Sequence, residues 1–378
     1  MQSVAIAWHV FVLHHRAFDL GLVGLALFLP AFALVLVTGV LADRYDRRAI
    51  VIGATLAELL AAVAFLSFVV RGEGRLWIYL TVLVFVGVAR AFAVPAERSF
   101  LVTLVAEHAY VRTQAAYASV RQIVVIGGPA TGGALLAIGT PFAFGAVAVL
   151  LSVSTLALTA MRVRRLTSAV DAPTLRDALG GLRFIRAQPI ILAAISLDLF
   201  AVLFGGATAL LPVYADTILR VGPVGLGVLR SAPAIGAFVT ALSLSRRPPR
   251  DHVGRTLIVA VAGFGIATIV FGLSHSLALS LVALALTGAT DMVSVVIRSG
   301  LVQLNTPDAM RGRVNAVENV FIGASNELGM FESGTVAAAV GTVGSVVLGG
   351  LGTLAIVLLW TLAFPQLRRA RALRSTPT

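Results

Sequence analysis

Among the ionisable residues inside long apolar stretches of this sequence, four stand out: Arg90, Asp198, Asp291 and Glu327. A charge in hydrocarbon is costly unless it is paired or faces water, so each is a candidate for binding or proton transfer. A carboxylate in low-dielectric surroundings is disfavoured as an anion and can exchange a proton, whereas a guanidinium keeps its charge and can hold an anionic group. The competing role for Arg90, Asp198 and Asp291 is a structural salt bridge. For Glu327 it is interhelical hydrogen bonding, because its stretch also carries Glu318, Asn319, Asn326 and Glu332. Glu58 raises the same alternatives and ranks below the other four.

Other chemistry is excluded. No nucleophile and base fall at a recognisable spacing, which argues against an enzyme. His9, His14, His15, His108, His252 and His275 form no HExxH and no metal-ligand spacing, so no metal is expected. All 29 basic residues are Arg. Without Lys there is no Walker-type phosphate loop and no Schiff base, so the chain cannot itself be an ATP-driven pump. The absence of Cys removes disulfides, thiolate metal sites and redox switching. The net charge of +12 is spread over short loops rather than gathered in one patch, so no nucleic-acid partner is expected.

The elements that must position these residues are membrane helices. The 378 residues are 58% hydrophobic and 12% charged, with a mean hydropathy of +0.97; a soluble chain carries about a quarter charged residues. Apolar stretches fall at 1–15, 20–42, 49–70, 76–104, 113–138, 142–161, 188–213, 223–245, 255–273, 277–304, 313–340 and 345–363. Most reach the roughly 20 residues a helix needs to cross a bilayer. Helices are required, because backbone groups facing lipid must be satisfied within their own segment. The lipid bilayer is thus the first partner.

Arg44, Arg47 and Arg48, the run from Arg162 to Arg186, Arg246 to Arg255, Arg311 and Arg313, and the tail from Arg368 lie on one side if each stretch crosses once. The positive-inside rule puts that side, with the C-terminus, in the cytoplasm of an inner-membrane protein. The polar segment 162–187 divides the chain into units 1–161 and 188–378. Leu175, Leu179 and Leu182 fall on one helical face of this linker, and Thr174 with Asp177 is spaced as a capping box. A short amphipathic helix on the inner membrane surface is expected, with a solvated linker helix as the alternative.

The halves resemble each other. Leu20–Leu25 and Val221–Leu226 are spaced by 201 residues, as are Gly87 and Gly288, and Arg112 and Arg313. A duplicated six-helix unit would leave this pattern. On the same offset the first helix is expected to be shortened relative to the seventh, and an incomplete wall would suit a non-transporting partner subunit.

Two motifs carry a family resemblance. Gly39-Val-Leu-Ala-Asp43-Arg44-Tyr-Asp-Arg47-Arg48 resembles the G-x-L-x-D-R-x-G-R-R loop of the major facilitator superfamily, with Asp46 in place of the usual Gly. The resemblance implies a gating latch of Gly39, Asp43, Arg44, Arg47 and Arg48. Gly128-Pro129-Ala-Thr-Gly132-Gly133 resembles the G-P-x-x-G-G motif of that superfamily's drug and proton antiporters, with Val124 where an upstream Gly is usual. Leu210–Ala215, Val221–Arg230 and Thr306–Arg313 resemble its siderophore-exporter and transmembrane secretion effector branch.

The resemblance implies an all-α membrane protein: two pseudo-symmetric six-helix bundles rocking about a cavity lined by helices one, four, seven and ten. Arg90, Asp198 and Asp291 then fall on cavity helices, with Arg90 and Asp291 at equivalent positions offering opposite charges near the midplane. The activity implied is export of a drug, siderophore or secreted metabolite by a monomer. Proton antiport would drive it, with the proton motive force in place of any cofactor. An uncoupled facilitator or importer of the same fold stays open.

Overall fold

The computed structural model describes residues 1–44, 46–104, 109–161, 175–247, 249 and 251–373. The first half contains α1 (Gln2–His14), α2 (Ala17–Arg44), α3 (Arg47–Val70), α4 (Leu76–Leu104), α5 (Tyr110–Ile138) and α6 (Thr140–Ala160). A linker helix α7 (Leu175–Ala187) follows, then α8 (Pro189–Phe204), the short α9 (Leu211–Val213), α10 (Gly222–Arg246), α11 (Val253–Leu273), α12 (Leu277–Asn305), α13 (Asp308–Val340), α14 (Thr342–Ala363) and the terminal α15 (Pro365–Arg369). Among the described residues, ten helical segments are long and apolar enough to cross a membrane; α1 is shorter, and the polar α13 falls outside the ten.

The two halves pack alike. In the first bundle α2 lies on α4, α3 on α4 and α6; in the second α10 lies on α12, α11 on α12 and α14. Gly87 and Gly288 have the same task. A Cβ on Gly87 would sit 2.6 Å from the Leu27 carbonyl of α2, and one on Gly288 1.9 Å from the Pro233 carbonyl of α10. Small residues let backbones approach closely, which matters where lipid supplies no hydrophobic drive between helices.

The bundles join through two crossings, α2 with α13 and α5 with α10. A Cβ on Gly334 would meet the Ala17 carbonyl and Gly21; one on Gly133 would meet the Pro223 carbonyl and Gly227. Gly133 and Gly334 are 201 residues apart, in the register read from the sequence, but Ala17 with Pro223, Gly21 with Gly227 and Leu27 with Pro233 are each 206 apart. The equivalence of Leu20–Leu25 with Val221–Leu226 is therefore corrected: five residues enter before the eighth crossing, in the irregular segment that leads to α10.

Both crossings lie near the ends of their helices away from the linker. On that far side the core is shared: Val10, Phe65, Tyr79 and Phe144 of the first bundle form one buried cluster with Leu211, Tyr214, Leu226 and Phe271 of the second. His15 Nδ1 lies 3.9 Å from Asp216 across the same seam. In the loop before α4, Glu73 accepts hydrogen bonds from the Arg75 backbone and guanidinium, which hold its carboxyl down at about 2. Toward the linker, no buried cluster among the described residues is shared by the bundles. The remaining clusters each belong to one bundle, and every residue of α5 from Gln114 to Arg121 is exposed. A helix bare on all faces has lipid on one side and a cavity on the other.

The seventh crossing differs from the single helix expected over 188–213. The α8 helix ends at Phe204, Gly205–Gly206 bend, and Ala207–Leu210 form a 3-10 turn before α9 and a π turn at Tyr214–Ile218. Packing explains the break: a Cβ on Gly206 would stand 2.5 Å from the Gly329 carbonyl of α13, and one on Gly205 2.3 Å from the Phe264 ring of α11. The described end of the linker helix packs on protein: Ile185 is fully buried with Ile191, Val302, Val314 and Val317 at the base of the second bundle, and Leu182 packs against them. Leu175, Leu179, Thr174 and Asp177 lie outside the described side chains.

The chain has no Cys, so a pair introduced by His15→Cys and Asp216→Cys reports closure of the far side. We expect efficient oxidative crosslinking in the parent chain and markedly less when Gly133→Leu is added, since that side chain enters the α5–α10 crossing. Equal crosslinking with and without the leucine would show that the glycine contact does not hold the seam.

Candidate functional site

Most of the described membrane-embedded charges gather in three groups; Glu332 of α13 stands apart beside Ser333. The first lies in the second bundle. Arg298 of α12, 3% exposed, donates to Glu318 of α13 (Nη1 to Oε1, 2.6 Å) and pairs with Asp198 of α8 (Nη2 to Oδ2, 3.3 Å). The Ser294 hydroxyl donates to the other Asp198 oxygen at 3.1 Å. Asp291, two turns before Arg298 on α12, makes no hydrogen bond to a described residue but lies within the field of Asp198 and Arg298. Three carboxylates thus share one guanidinium, an excess of negative charge that a proton or a cationic group can neutralise.

This cluster borders a cavity of about 240 Å³ lined by Asp198, Asp291, Arg298, Thr268, Thr287 and Asn326, with the Gly205–Gly206 break in its wall. Irregular backbone at membrane depth is tolerated where it lines a cavity, because freed amide groups then meet water or ligand.

The second group belongs to the first bundle. Arg90 of α4 donates Nε to Glu58 of α3 at 2.8 Å. Glu97, two turns further along α4, lies in the field of Glu58, Arg121 and Arg90. The two bundles are therefore inverted in sign: Arg90 then Glu97 on α4, Asp291 then Arg298 on α12, each pair in the 201-residue register. The third group lies between the bundles, where Glu327 of α13 lies in the field of Arg90 and Arg230.

Of the residues singled out in the sequence, Asp198 and Asp291 come together around Arg298. Arg90 and Glu327 come together around Arg230. Arg90 and Asp291 do not face each other as a pair, which corrects that expectation; each has partners in its own bundle, because the shared register puts them at the same place in two different bundles. Glu58, ranked below the others, is the direct partner of Arg90. Sequence reasoning missed Arg298 and Arg230. The spacing of seven between Asp291 and Arg298, matched by Arg90 and Glu97, was the available signal for the first.

In the loop motif, the side chains of Gly39, Asp43, Arg44 and Arg47 lie outside the described set. Arg48 is described. Its guanidinium donates to the Leu158 and Thr159 carbonyls at 2.8 to 3.2 Å, capping the end of α6. Asp46, the departure from the family pattern, caps α3 by accepting the Arg48 backbone N–H at 3.0 Å. In the antiporter-like motif, Gly133 forms the crossing with α10, the Pro129 carbonyl faces Gly227, and Gly128 and Gly132 face Met1.

Removing one partner of a buried pair costs about 3–5 kcal/mol, because a charge is left without compensation. Arg298→Met is therefore expected to lower the thermal unfolding midpoint far more than Arg75→Gln, whose partner Glu73 sits in the exposed loop. Ranking the two variants by melting in detergent tests this; comparable losses would mean that the Arg298 cluster carries little stability.

Residues 1–377 match the transmembrane secretion effector family. Enterobactin exporter EntS of Escherichia coli O1:K1 / APEC is 26% identical over 376 residues, 98% of this chain and 89% of that protein; its counterpart in Shigella boydii serotype 18 is likewise 26% identical. Among solved structures, the nucleoside transporter NupG superposes with a TM-score of 0.71 at 13% identity, covering 96% of this chain and 94% of NupG. The inward-open xylose transporter XylE from E. coli superposes with a TM-score of 0.68 at 12% identity, covering 98% and 94%. The FucP structure described as a Major Facilitator Superfamily transporter gives 0.52 at 14%, covering 95% and 96%.

Proposed function

Since the chain belongs to the transmembrane secretion effector family and has the fold of the major facilitator superfamily transporters, we propose that it exports small amphipathic molecules by alternating access, coupled to proton entry. It is a multi-pass membrane transporter rather than an enzyme. The observation that carries the reading is the pair of equivalent glycine crossings: they close the bundles against each other on one side and leave the other side open. A symmetric counterpart, sealed on the linker side and open on the far side, requires only that the bundles rock about the cavity. The rocking units are 1–161 and 188–378, joined by 162–187.

The positive-inside rule supports a cytoplasmic linker and C-terminus in the inner membrane, so the open side faces the cytoplasm and loads substrate. The working protein is a monomer that needs no cofactor. Similarity to the enterobactin exporters supports siderophores, drugs or other secreted metabolites as substrates. Asp291 is the carboxylate we assign to proton exchange. Asp198 and Glu318 are held by Arg298, whereas Asp291 faces the cavity with no hydrogen bond to a described residue. Asp43 of the loop motif, with Arg44, Arg47 and Arg48, acts as the latch on the linker side.

Reconstitution in liposomes carrying an internal pH dye tests coupling. Adding a panel of amphipathic aromatic compounds is expected to produce proton flux opposite to substrate flux. Asp291→Asn should abolish efflux driven by a pH gradient while leaving substrate exchange at equal pH. Substrate movement that ignores the gradient would leave an uncoupled facilitator. Asp43→Asn is expected to slow both modes without loss of protein from the membrane; unchanged rates would remove the latch.

A further inference from the structure

A small, mostly apolar pocket with a few polar groups lies where the two bundles meet, apart from the Asp291 cavity. It measures about 50 Å³ and is walled by α1, α2 and α4 of the first bundle and by Ala209, Arg230 and Met330 of the second. That is room for a carboxylate group or a few waters, not for a whole amphipathic substrate. Its polar lining is Gln2, Ser3, Arg90 and Arg230.

The donors there are left wanting acceptors. Gln2 is 9% exposed, and its buried Nε2 has no hydrogen-bond partner; buried polar groups are normally satisfied, so one aimed into a pocket points to a missing ligand. Arg90 uses its Nε–H on Glu58, and Arg230 makes no hydrogen bond to a described residue. Glu327 offers charge without contact. Its Oε2 is buried with no hydrogen-bond partner, while Arg90 and Arg230 act on it through space. Arg90 is thus paired with Glu58 through Nε, Arg230 has Glu327 only at a distance, and the uncharged Gln2 amide has no acceptor for its Nε2.

We propose that Arg90, Arg230 and Gln2 form an oxyanion subsite shared by the two bundles, which takes a carboxylate or comparable delocalised oxyanion of an amphipathic substrate in competition with Glu327. Planar guanidiniums suit such a group, and its apolar body extends into the open cavity. Gln2 and Arg90 belong to one bundle, Arg230 and Glu327 to the other. Opening of the far side draws the donors apart, so the geometry that closes the seam also binds, and the motion that opens it releases. The inference rests on the transport reading for its purpose, but its test is an equilibrium measurement.

The full chain in lipid nanodiscs is titrated with salicylate and with salicylamide, the same ring bearing a carboxylate or a neutral amide, and thermal unfolding is followed. Salicylate is expected to raise the midpoint and salicylamide to leave it unmoved. Arg230→Gln should weaken salicylate about tenfold, the loss of one charge-assisted contact, and Arg75→Gln should change nothing. Glu327→Gln should strengthen it severalfold by removing the competitor. Should Arg230→Gln fail to fold, the Glu327→Gln gain decides, since damage alone would not tighten binding. No response to salicylate, equal responses to both probes, or weaker binding in Glu327→Gln would overturn the subsite. If salicylate behaves as expected while proton-linked efflux is absent, the subsite stands and the exporter reading falls. If efflux is proton-linked and salicylate does not bind, the subsite alone falls.

Discussion

Two close backbone crossings hold this molecule in its observed shape. In lipid, apolar side chains gain nothing by leaving one hydrocarbon surface for another, so helices associate through packing and polar contacts. At Gly133 with Gly227, and at Gly21 with Gly334, helices of different bundles approach so closely that a Cβ on Gly133, Gly227 or Gly334 would strike backbone atoms. A contact made by backbones is short and directional, and a small rotation breaks it together with the shared core beside it. That is the property a rocking interface needs, and it explains why the shared core is confined to one side.

Charge is distributed around these crossings in a way that follows from the same duplication. Each bundle carries a positive and a negative residue two turns apart on its fourth helix, but in opposite order, Arg90 with Glu97 and Asp291 with Arg298. The first bundle's Arg90 is met by Glu58 from α3; the second bundle's Arg298 is met by Asp198 and Glu318 from α8 and α13. The second bundle ends with a surplus of carboxylate beside a cavity, and the first with a guanidinium that reaches the seam. On the readings proposed above, proton exchange belongs to the second bundle and the oxyanion subsite straddles both, with Glu327 near both Arg90 and Arg230 at their boundary.

The broken seventh crossing connects packing to chemistry. Gly205 and Gly206 let α13 and α11 approach closely, at the expense of a continuous helix. The irregular backbone then borders the Asp198–Arg298 cavity rather than lipid, where its amide groups can be satisfied. Apolar composition alone gave no warning, since Ala207–Leu211 is as hydrophobic as the helix before it.

Much of the architecture was legible in the chain. Ten of the twelve stretches read from the sequence meet apolar length against bilayer thickness among the described residues, and the short α1 and polar α13 do not; they are helices because a lipid-facing backbone has no other solution. The repeat was legible from Gly87 with Gly288, whose side-chain-free positions are demanded by equivalent helix contacts. The 206-residue register of α2 and α10 was not, because it depends on where the irregular segment lets α10 begin. Sequence also identified which embedded residues are charged, and its physical reason is plain: hydrocarbon tolerates few of them. Partner choice was decided only in three dimensions. Arg298 and Arg230 acquire meaning from other helices that bring Asp198, Glu318 and Glu327 near them, and no spacing along one helix encodes which neighbouring helix will arrive.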